Sequence, residues 1–269
     1  MQCMEIRGGS TVVEEAFSTP GLDAWVCSLP FEGATRGGDL HYVSLCGGGI
    51  ITRMIVADVS GHGAPVADLS ASLRSLMRKA INTKSQTHLV RELNRQFAAL
   101  ERSGRFATAV VATYLANRRT LTICNAGHPR PLRYRAADGR WDILDAEHHD
   151  PGNLPLGLED ETPYQQFTIA LGPGDAIVLY TDALTEAADP SGRMLGETGL
   201  LSLARSLDPA EPQLLGRSIL AGAKAYRGGA VSDDDSTVLV AVHGGEGPRR
   251  MSVVEKLDVY AKVFGIRDY

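Results

Sequence analysis

Four aspartates stand at turns or strand ends beside glycine or other small residues. They lie in four segments: Gly37-Gly38-Asp39, Ala57-Asp58-Val59, Thr181-Asp182-Ala183 and Asp233-Asp234-Asp235. A single aspartate of this kind is commonly a turn residue or a helix N-cap. Two of these four, however, directly follow apolar runs that are typical of buried strands. An ionised carboxylate in such a place is costly unless it is paired or bound to a metal.

A centre with two metal ions would explain the four aspartates together. Four convergent carboxylates repel one another, and two divalent cations would balance their formal charge. No arginine pattern accompanies the four segments. Ligation by oxygen alone favours Mg²⁺ or Mn²⁺ over zinc. Two such ions could bind phosphate oxygens and lower the pKa of a water between them.

Composition and net charge limit the classes of partner and the cellular compartment that we expect. The net charge of −5 over 269 residues argues against binding to nucleic acid or to an anionic membrane. The four cysteines are scattered without a C-x-x-C pair, which favours buried free thiols and a reducing compartment. The first nine residues do not resemble a signal peptide, and no apolar run approaches the ~20 residues that span a bilayer. We therefore expect a soluble protein of the cytoplasm.

The hydrophobic pattern predicts strands, two helices, many strands, two helices and a last strand. Apolar residues recur at spacings of three and four in the helical stretches, which predicts core-facing helices. Consecutive strands between helix pairs indicate a layered α+β domain and not alternating βαβ units. The predicted helices cover 65–83, 87–103, 197–207 and 211–226. We expect a lead-in at 1–20, one domain at 21–246, and a tail at 247–269 that could form a short amphipathic helix.

The sequence also resembles a known family through seven ordered blocks. These are GGD, VADVSGHG, FATAVVATY, CNAGHPRPL, LPLG, LGPGDAIVLYTDALTEA and DDDSTVLV. They resemble the metal-dependent protein phosphatases (PPM, protein phosphatase 2C-like), in particular the bacterial branch typified by stage II sporulation protein E. The resemblance covers about 37–242. It implies a four-layer αββα sandwich, in which a helix pair covers each of two antiparallel sheets.

The resemblance also implies a role for each residue of the centre. Asp58 would bridge both cations and thereby take part in catalysis, with the backbone carbonyl of Val59 as an additional ligand. Asp39 would serve one metal, while Asp182 and Asp234 would serve the other. Asp235 is the alternative ligand if the register of 233–235 is shifted by one.

Two histidines have open roles. His62 lies between glycines four residues after Asp58. It could protonate the leaving alkoxide, or cap the following helix, or bond to a metal-binding aspartate. His128 is expected to stabilise a turn near the cleft.

The main departure from the family pattern is Ala183, where T-D-G is usual. If that position required a positive φ, alanine would add roughly 1 kcal/mol of strain. The resemblance implies an active phosphoserine or phosphothreonine phosphatase of partner-switching signalling, with an anti-sigma-factor antagonist as substrate and a regulatory protein as partner. The alternatives are a pseudophosphatase that binds a phosphoprotein, for which Ala183 is the best support, and another two-metal hydrolase.

Overall fold

Two six-stranded antiparallel sheets form the centre of the protein. The computed structural model describes residues 5–31, 34–46, 49–60, 64–80, 85–100, 105–145 and 153–244. In spatial order, the first sheet contains β1 (Ile6–Gly9), β4 (Leu40–Cys46), β5 (Ile51–Val59), β6 (Ala107–Leu115), β7 (Thr120–Ala126) and β10 (Phe167–Ala170). The second contains β2 (Val13–Thr19), β3 (Leu22–Leu29), β12 (Ser236–His243), β11 (Ala176–Tyr180), β8 (Leu132–Arg135) and β9 (Arg140–Ile143).

Each sheet is covered on its outer face by a helix pair. The helices α1 (Ala64–Ala80) and α2 (Gln86–Leu100) pack on the first sheet. The helices α3 (Gly196–Ala204) and α4 (Pro212–Tyr226) pack on the second sheet. The result is the expected αββα sandwich of the α+β class, and that prediction is confirmed.

Three apolar layers hold the sandwich together, because successive strand residues point to opposite faces. On β5, Ile55 packs towards α1 and α2, whereas Met54 and Val56 pack between the sheets. Trp25 of β3 packs on the other side, in the layer beneath α3 and α4. Strands buried on both faces therefore appear in the sequence as nearly continuous apolar runs.

The predicted element boundaries differ from the structure chiefly at the N-terminus. Residues 1–20 were expected to be a lead-in, whereas β1 and β2 are edge strands of the two sheets. The predicted tail at 247–269 lies outside the described residues. No helix in the described part of the chain is long and apolar enough to cross a membrane.

Candidate metal centre

Strand register brings Asp39 and Asp58 side by side on the first sheet. Leu40, the first residue of β4, pairs with Ala57 near the end of β5. Asp39, which precedes Leu40, and Asp58, which follows Ala57, are therefore opposite each other at the same end of the sheet. On the next strand, Thr108 pairs with Asp58.

The second sheet brings Asp182 and Asp234 to the corresponding edge. Strand β11 ends at Tyr180, which pairs with Val238 near the start of β12. Asp182 follows the end of β11, in a short 3-10 turn that spans Asp182–Leu184. Asp234 precedes the first residue of β12 by two positions. One end of the sandwich thus collects aspartates from four strand ends.

Thr181 joins the two sheets at this end. Its hydroxyl donates a hydrogen bond to Oδ2 of Asp39 over 2.8 Å and accepts one from the backbone N–H of Thr237 over 2.9 Å. The Thr181 backbone N–H donates to the Thr237 carbonyl at 3.1 Å. This buried hydroxyl orients one Asp39 oxygen. The sequence analysis did not single out Thr181, although it is part of the T-D-A segment.

Asp235 holds the glycine loop that precedes Asp39. Its Oδ1 accepts a hydrogen bond from the backbone N–H of Phe31 over 2.6 Å. Its Oδ2 accepts one from Gly38, with a longer contact of 3.4 Å from the Asp39 N–H. A Cβ on Gly37 would overlap this carboxylate, so only glycine permits the approach. Both Asp235 oxygens are therefore engaged by backbone.

Burial and mutual repulsion raise the pKa of Asp39 and Asp58. Asp39 is fully buried, and its pKa is well above the usual range because of burial and then the charge of Asp58. Hydrogen bonds from Thr181 and Thr237 act in the opposite direction. The pKa of Asp58 is raised to about 8, and burial is the largest cause. The next causes are the negative charges of Asp182, Asp234, Asp235 and Glu186. The strongest charges acting on Asp58 are thus all carboxylates.

A further carboxylate, that of Glu186, lies close to this cluster. Its side chain is exposed, and its charge acts on both Asp58 and Asp182. Burial first and Glu186 second raise the pKa of Asp182. Glu186 follows Asp182 by four residues, and its backbone N–H donates to the Asp182 carbonyl over 2.7 Å. The analysis of the sequence missed it, although this one-turn spacing was a usable signal.

The donor set fits hard divalent cations, which take oxygen ligands. The Val59 carbonyl faces the same loop, since a Cβ on Gly38 would lie 3.2 Å from that oxygen. Among the described residues, no three carboxylate, imidazole or thiol groups lie close enough to share one ion. Buried carboxylates surrounded by like charge are the feature that calls for cations.

His128 is buried beside Thr108 and is not suited to act as a general acid. Its Nδ1 is 2.8 Å from the Thr108 hydroxyl, and Asn125 closes the turn through hydrogen bonds to both the N–H and the carbonyl of His128. Burial lowers its pKa to about 3, although the nearby Tyr180 backbone acts in the opposite direction. Nε2 is buried without a hydrogen-bond partner in the described part of the chain. His62 lies outside the described residues.

Ala183 carries none of the strain that the family pattern suggested. Arg119 is the one non-glycine residue with positive φ among the described residues, so Ala183 adopts an ordinary backbone conformation. It is buried in the 3-10 turn, where its carbonyl accepts a hydrogen bond from Arg227. The condition for strain at Ala183, a positive φ, is therefore not met, because the turn does not require glycine there.

The family assignment agrees with this geometry. A model of the family described as Stage II sporulation protein E (SpoIIE) matches residues 51–243. The chain therefore belongs to the SpoIIE family, which confirms the expected branch of PPM phosphatases. The match spans β5 to β12, so it includes Asp58, Asp182 and Asp234.

Similar proteins support the same class. The chain is 29% identical over 145 residues to the phosphoserine phosphatase RsbU of Bacillus subtilis, covering 52% of this chain and 41% of RsbU. It is similar to the RsbU and RsbW domains of Rv1364c from Mycobacterium tuberculosis, with TM-score 0.73 and 26% identity over 89% of this chain and 64% of that one.

The fold is also that of the PP2C phosphatase domain of SpoIIE from Bacillus subtilis, crystallised with a fragment of its regulatory domain. The TM-score is 0.68 and the identity 16%, over 90% of this chain and 64% of that one. The chain thus spans less than two thirds of each of these three relatives.

Proposed function

We propose that the protein is a metal-dependent phosphatase that hydrolyses phosphoserine or phosphothreonine in another protein. The observation that carries this proposal is the meeting of Asp39, Asp58, Asp182 and Asp234 at one end of a PP2C-type sandwich. The similarity to a phosphoserine phosphatase supports the same reaction class.

The proposed ligands divide between two cations. Asp58 would contribute to holding both, since the charges of Asp182 and Asp234 act on it from the second sheet and Asp39 is beside it on the first. Asp39 and the Val59 carbonyl serve one ion, and Asp182 and Asp234 serve the other. Cations held there would supply positive charge for the phosphate oxygens and a water of lowered pKa as the nucleophile, with the serine or threonine oxygen as the leaving group on the opposite side of phosphorus. Mn²⁺ and Mg²⁺ are the cations that such oxygen ligands favour.

The structure supports Asp234 over Asp235 as the ligand from this segment. Both Asp235 oxygens accept hydrogen bonds from backbone N–H groups of the loop before Asp39. A metal bound to Asp235 would compete with those bonds. We propose that Asp235 positions the loop and that Asp234 reaches the cation.

The structure describes the side chains of two cysteines, Cys27 and Cys124, and neither is suited to form a covalent phospho-enzyme. Burial raises the pKa of the Cys27 thiol to about 11 and that of Cys124 to about 12. Neither is therefore a thiolate at neutral pH, and the thiolate is the nucleophilic form. Cys27 is also buried on β3, in the layer beneath α3 and α4.

The proposed substrate is a phosphoprotein of partner-switching signalling, such as an anti-sigma-factor antagonist, with a regulatory protein as a further partner. This part rests on similarity to RsbU and to the RsbU domain of the mycobacterial protein. The pseudophosphatase alternative has lost its main support, since Ala183 is unstrained.

One assay tests the reaction. Hydrolysis of p-nitrophenyl phosphate and of a phosphoserine peptide would be measured with Mn²⁺, Mg²⁺ or EDTA, for wild type and Asp58→Asn. Asp138→Asn is the matched control, since Asp138 is in the exposed turn between β8 and β9. We expect metal-dependent turnover in wild type and control, with a loss of at least about 100-fold in Asp58→Asn. Metal-independent turnover, or an active Asp58→Asn, would contradict the proposal.

A further inference from the structure

One face of α1 carries a row of polar residues beside the aspartate cluster. Ser70, Arg74 and Arg78 are spaced by four, so they lie along the same face of the helix. The Ser70 hydroxyl donates a hydrogen bond to the Gly37 carbonyl over 3.1 Å. This contact turns the face towards the loop that precedes Asp39.

A third arginine completes the group. Arg36 is the neighbour of Gly37, and its positive charge acts on Arg74, as does that of Arg78. Arg36 and Arg78 are exposed, while Arg74 is partly buried beside β1, where its Nη1 would lie 3.8 Å from a Cβ on Gly9. We call Arg36, Arg74 and Arg78 the cationic patch.

The cationic patch lacks an acidic counterpart. No ion pair joins Arg36, Arg74 or Arg78 to a carboxylate of the described residues, whereas Arg130 pairs with Glu197 at 2.5 Å. Arg74 Nε is buried without a hydrogen-bond partner in that same part of the chain. Burial, and then the charges of Arg78 and Arg36, lower the pKa of Arg74. An anion placed here would relieve this repulsion.

The cationic patch is positioned to contact the residues that flank the phosphate group of a substrate, and not the phosphate group itself. Gly37 touches the Asp235 carboxylate, so Arg36 is next to the proposed centre. Val66, one turn before Ser70, contacts Gly38. Arg74 and Arg78 are one and two turns further along α1 than Ser70, and a turn rises about 5.4 Å. The patch therefore extends away from the aspartates along the protein surface.

We propose that the cationic patch binds acidic residues that flank the phosphorylated serine or threonine of a protein substrate. This inference rests on the proposed phosphatase function and specifies its substrate class. A protein is favoured over nucleic acid because three arginines form a small patch on a chain of net charge −5. Binding to a phosphate backbone requires a larger basic surface.

The test measures binding and turnover separately. Fluorescence anisotropy with the Mn²⁺-loaded full chain would compare peptides that carry a non-hydrolysable phosphonate in place of phosphoserine, flanked by glutamate or by glutamine, for wild type, Arg36→Gln and Arg78→Gln. Lys224→Gln is the matched control, because Lys224 is exposed on α4 in the opposite outer layer. We expect tighter binding of the acidic peptide in wild type, and roughly two- to fivefold weaker binding for each arginine removed.

Further outcomes separate this inference from the proposed function. Raising the salt concentration should reduce the preference for the acidic peptide, because the arginines are largely exposed. Arg78→Glu should bind a lysine-flanked peptide better than wild type does. Equal binding of acidic and neutral peptides, or unchanged binding in Arg36→Gln and Arg78→Gln, would overturn the inference. So would tighter, arginine-dependent binding of a single-stranded oligonucleotide. Hydrolysis of p-nitrophenyl phosphate, which has no flanking residues, reports on the phosphatase function alone.

Discussion

Replacing Asp58 by asparagine should stabilise the metal-free protein while abolishing its response to metal. Asp58 is largely buried, and this burial first, followed by the charges of the surrounding carboxylates, raises its pKa to about 8 from 3.8. Asparagine has nearly the same shape and no charge. The substitution therefore removes one member of a repelling cluster and also relieves Asp39, whose pKa is raised by the charge of Asp58.

The sign and the size follow from the pKa shift. A carboxyl group whose pKa is raised in the folded state binds its proton more tightly there. Its contribution to stability is thus greatest in acid and is lost as the pH rises from about 4 to about 8. At pH 7 the loss has an upper limit of about 4 kcal/mol, at 1.36 kcal/mol per pH unit. Burial of the asparagine amide offsets part of the gain, so we expect a net stabilisation of about 1–3 kcal/mol.

Urea unfolding in EDTA at several pH values between 4 and 8 measures this effect. Relative to wild type, the free energy of unfolding of Asp58→Asn should rise steadily from pH 4 to pH 8, and it should exceed that of wild type at pH 7. Asp138→Asn, which changes an exposed carboxylate that pairs with Arg135 at 3.3 Å, should differ from wild type by less than about 1 kcal/mol throughout.

Metal should reverse the order of stability. A cation at 100 times its dissociation constant adds about 2.7 kcal/mol to the stability of a protein that binds it only when folded. Wild type should therefore gain at least this much in excess Mn²⁺, and Asp58→Asn much less. If Asp58→Asn were less stable than wild type without metal at pH 7, and equally stabilised by Mn²⁺, the electrostatic account of the cluster would be refuted.

Two further predictions concern the neighbours of the centre. Asp235→Ala should lower the free energy of unfolding by about 1–3 kcal/mol, because the N–H groups of Phe31 and Gly38 lose their acceptor. Asp234→Ala also removes an acceptor, that of the Asp235 backbone N–H at 2.8 Å, but its main effect should be weaker Mn²⁺ binding. Calorimetric titration and urea unfolding compare the two variants, and a larger loss of Mn²⁺ binding in Asp235→Ala than in Asp234→Ala would exchange their roles. His128→Gln should leave the shape of the pH–rate profile between pH 5 and 8 unchanged, because the pKa of His128, lowered to about 3, keeps it neutral in that range. A limb of the profile that disappears in His128→Gln would contradict this.

The sequence was sufficient to predict the layers of the fold and the end of the sandwich at which the aspartates meet. Apolar runs such as 54–57 and 177–180 identify strands buried on both faces, and a carboxylate at the end of such a run stands out. The spacing of leucines predicted α1 and α2 to within three residues at each end. These features are local, so they can be found without knowing which strands pair.

What the sequence did not predict depends on contacts between distant segments. Strand β1 has four residues, two of them glycine, and β2 alternates weakly, so neither carries a strong strand signal. The role of Asp235 follows from hydrogen bonds to a loop about 200 residues earlier. The backbone conformation of Ala183 was left open because the family pattern has glycine there, and the 3-10 turn that follows β11 accepts alanine.

The central claim is that two divalent cations bind among these four aspartates. The most direct measurement is a crystal structure of the Mn²⁺-loaded protein with anomalous scattering data at the manganese edge. The account predicts two anomalous peaks ~4 Å apart, with Asp58 in contact with both, Asp39 at one, and Asp182 and Asp234 at the other. Peaks elsewhere on the surface, or none at this edge in excess Mn²⁺, would contradict it.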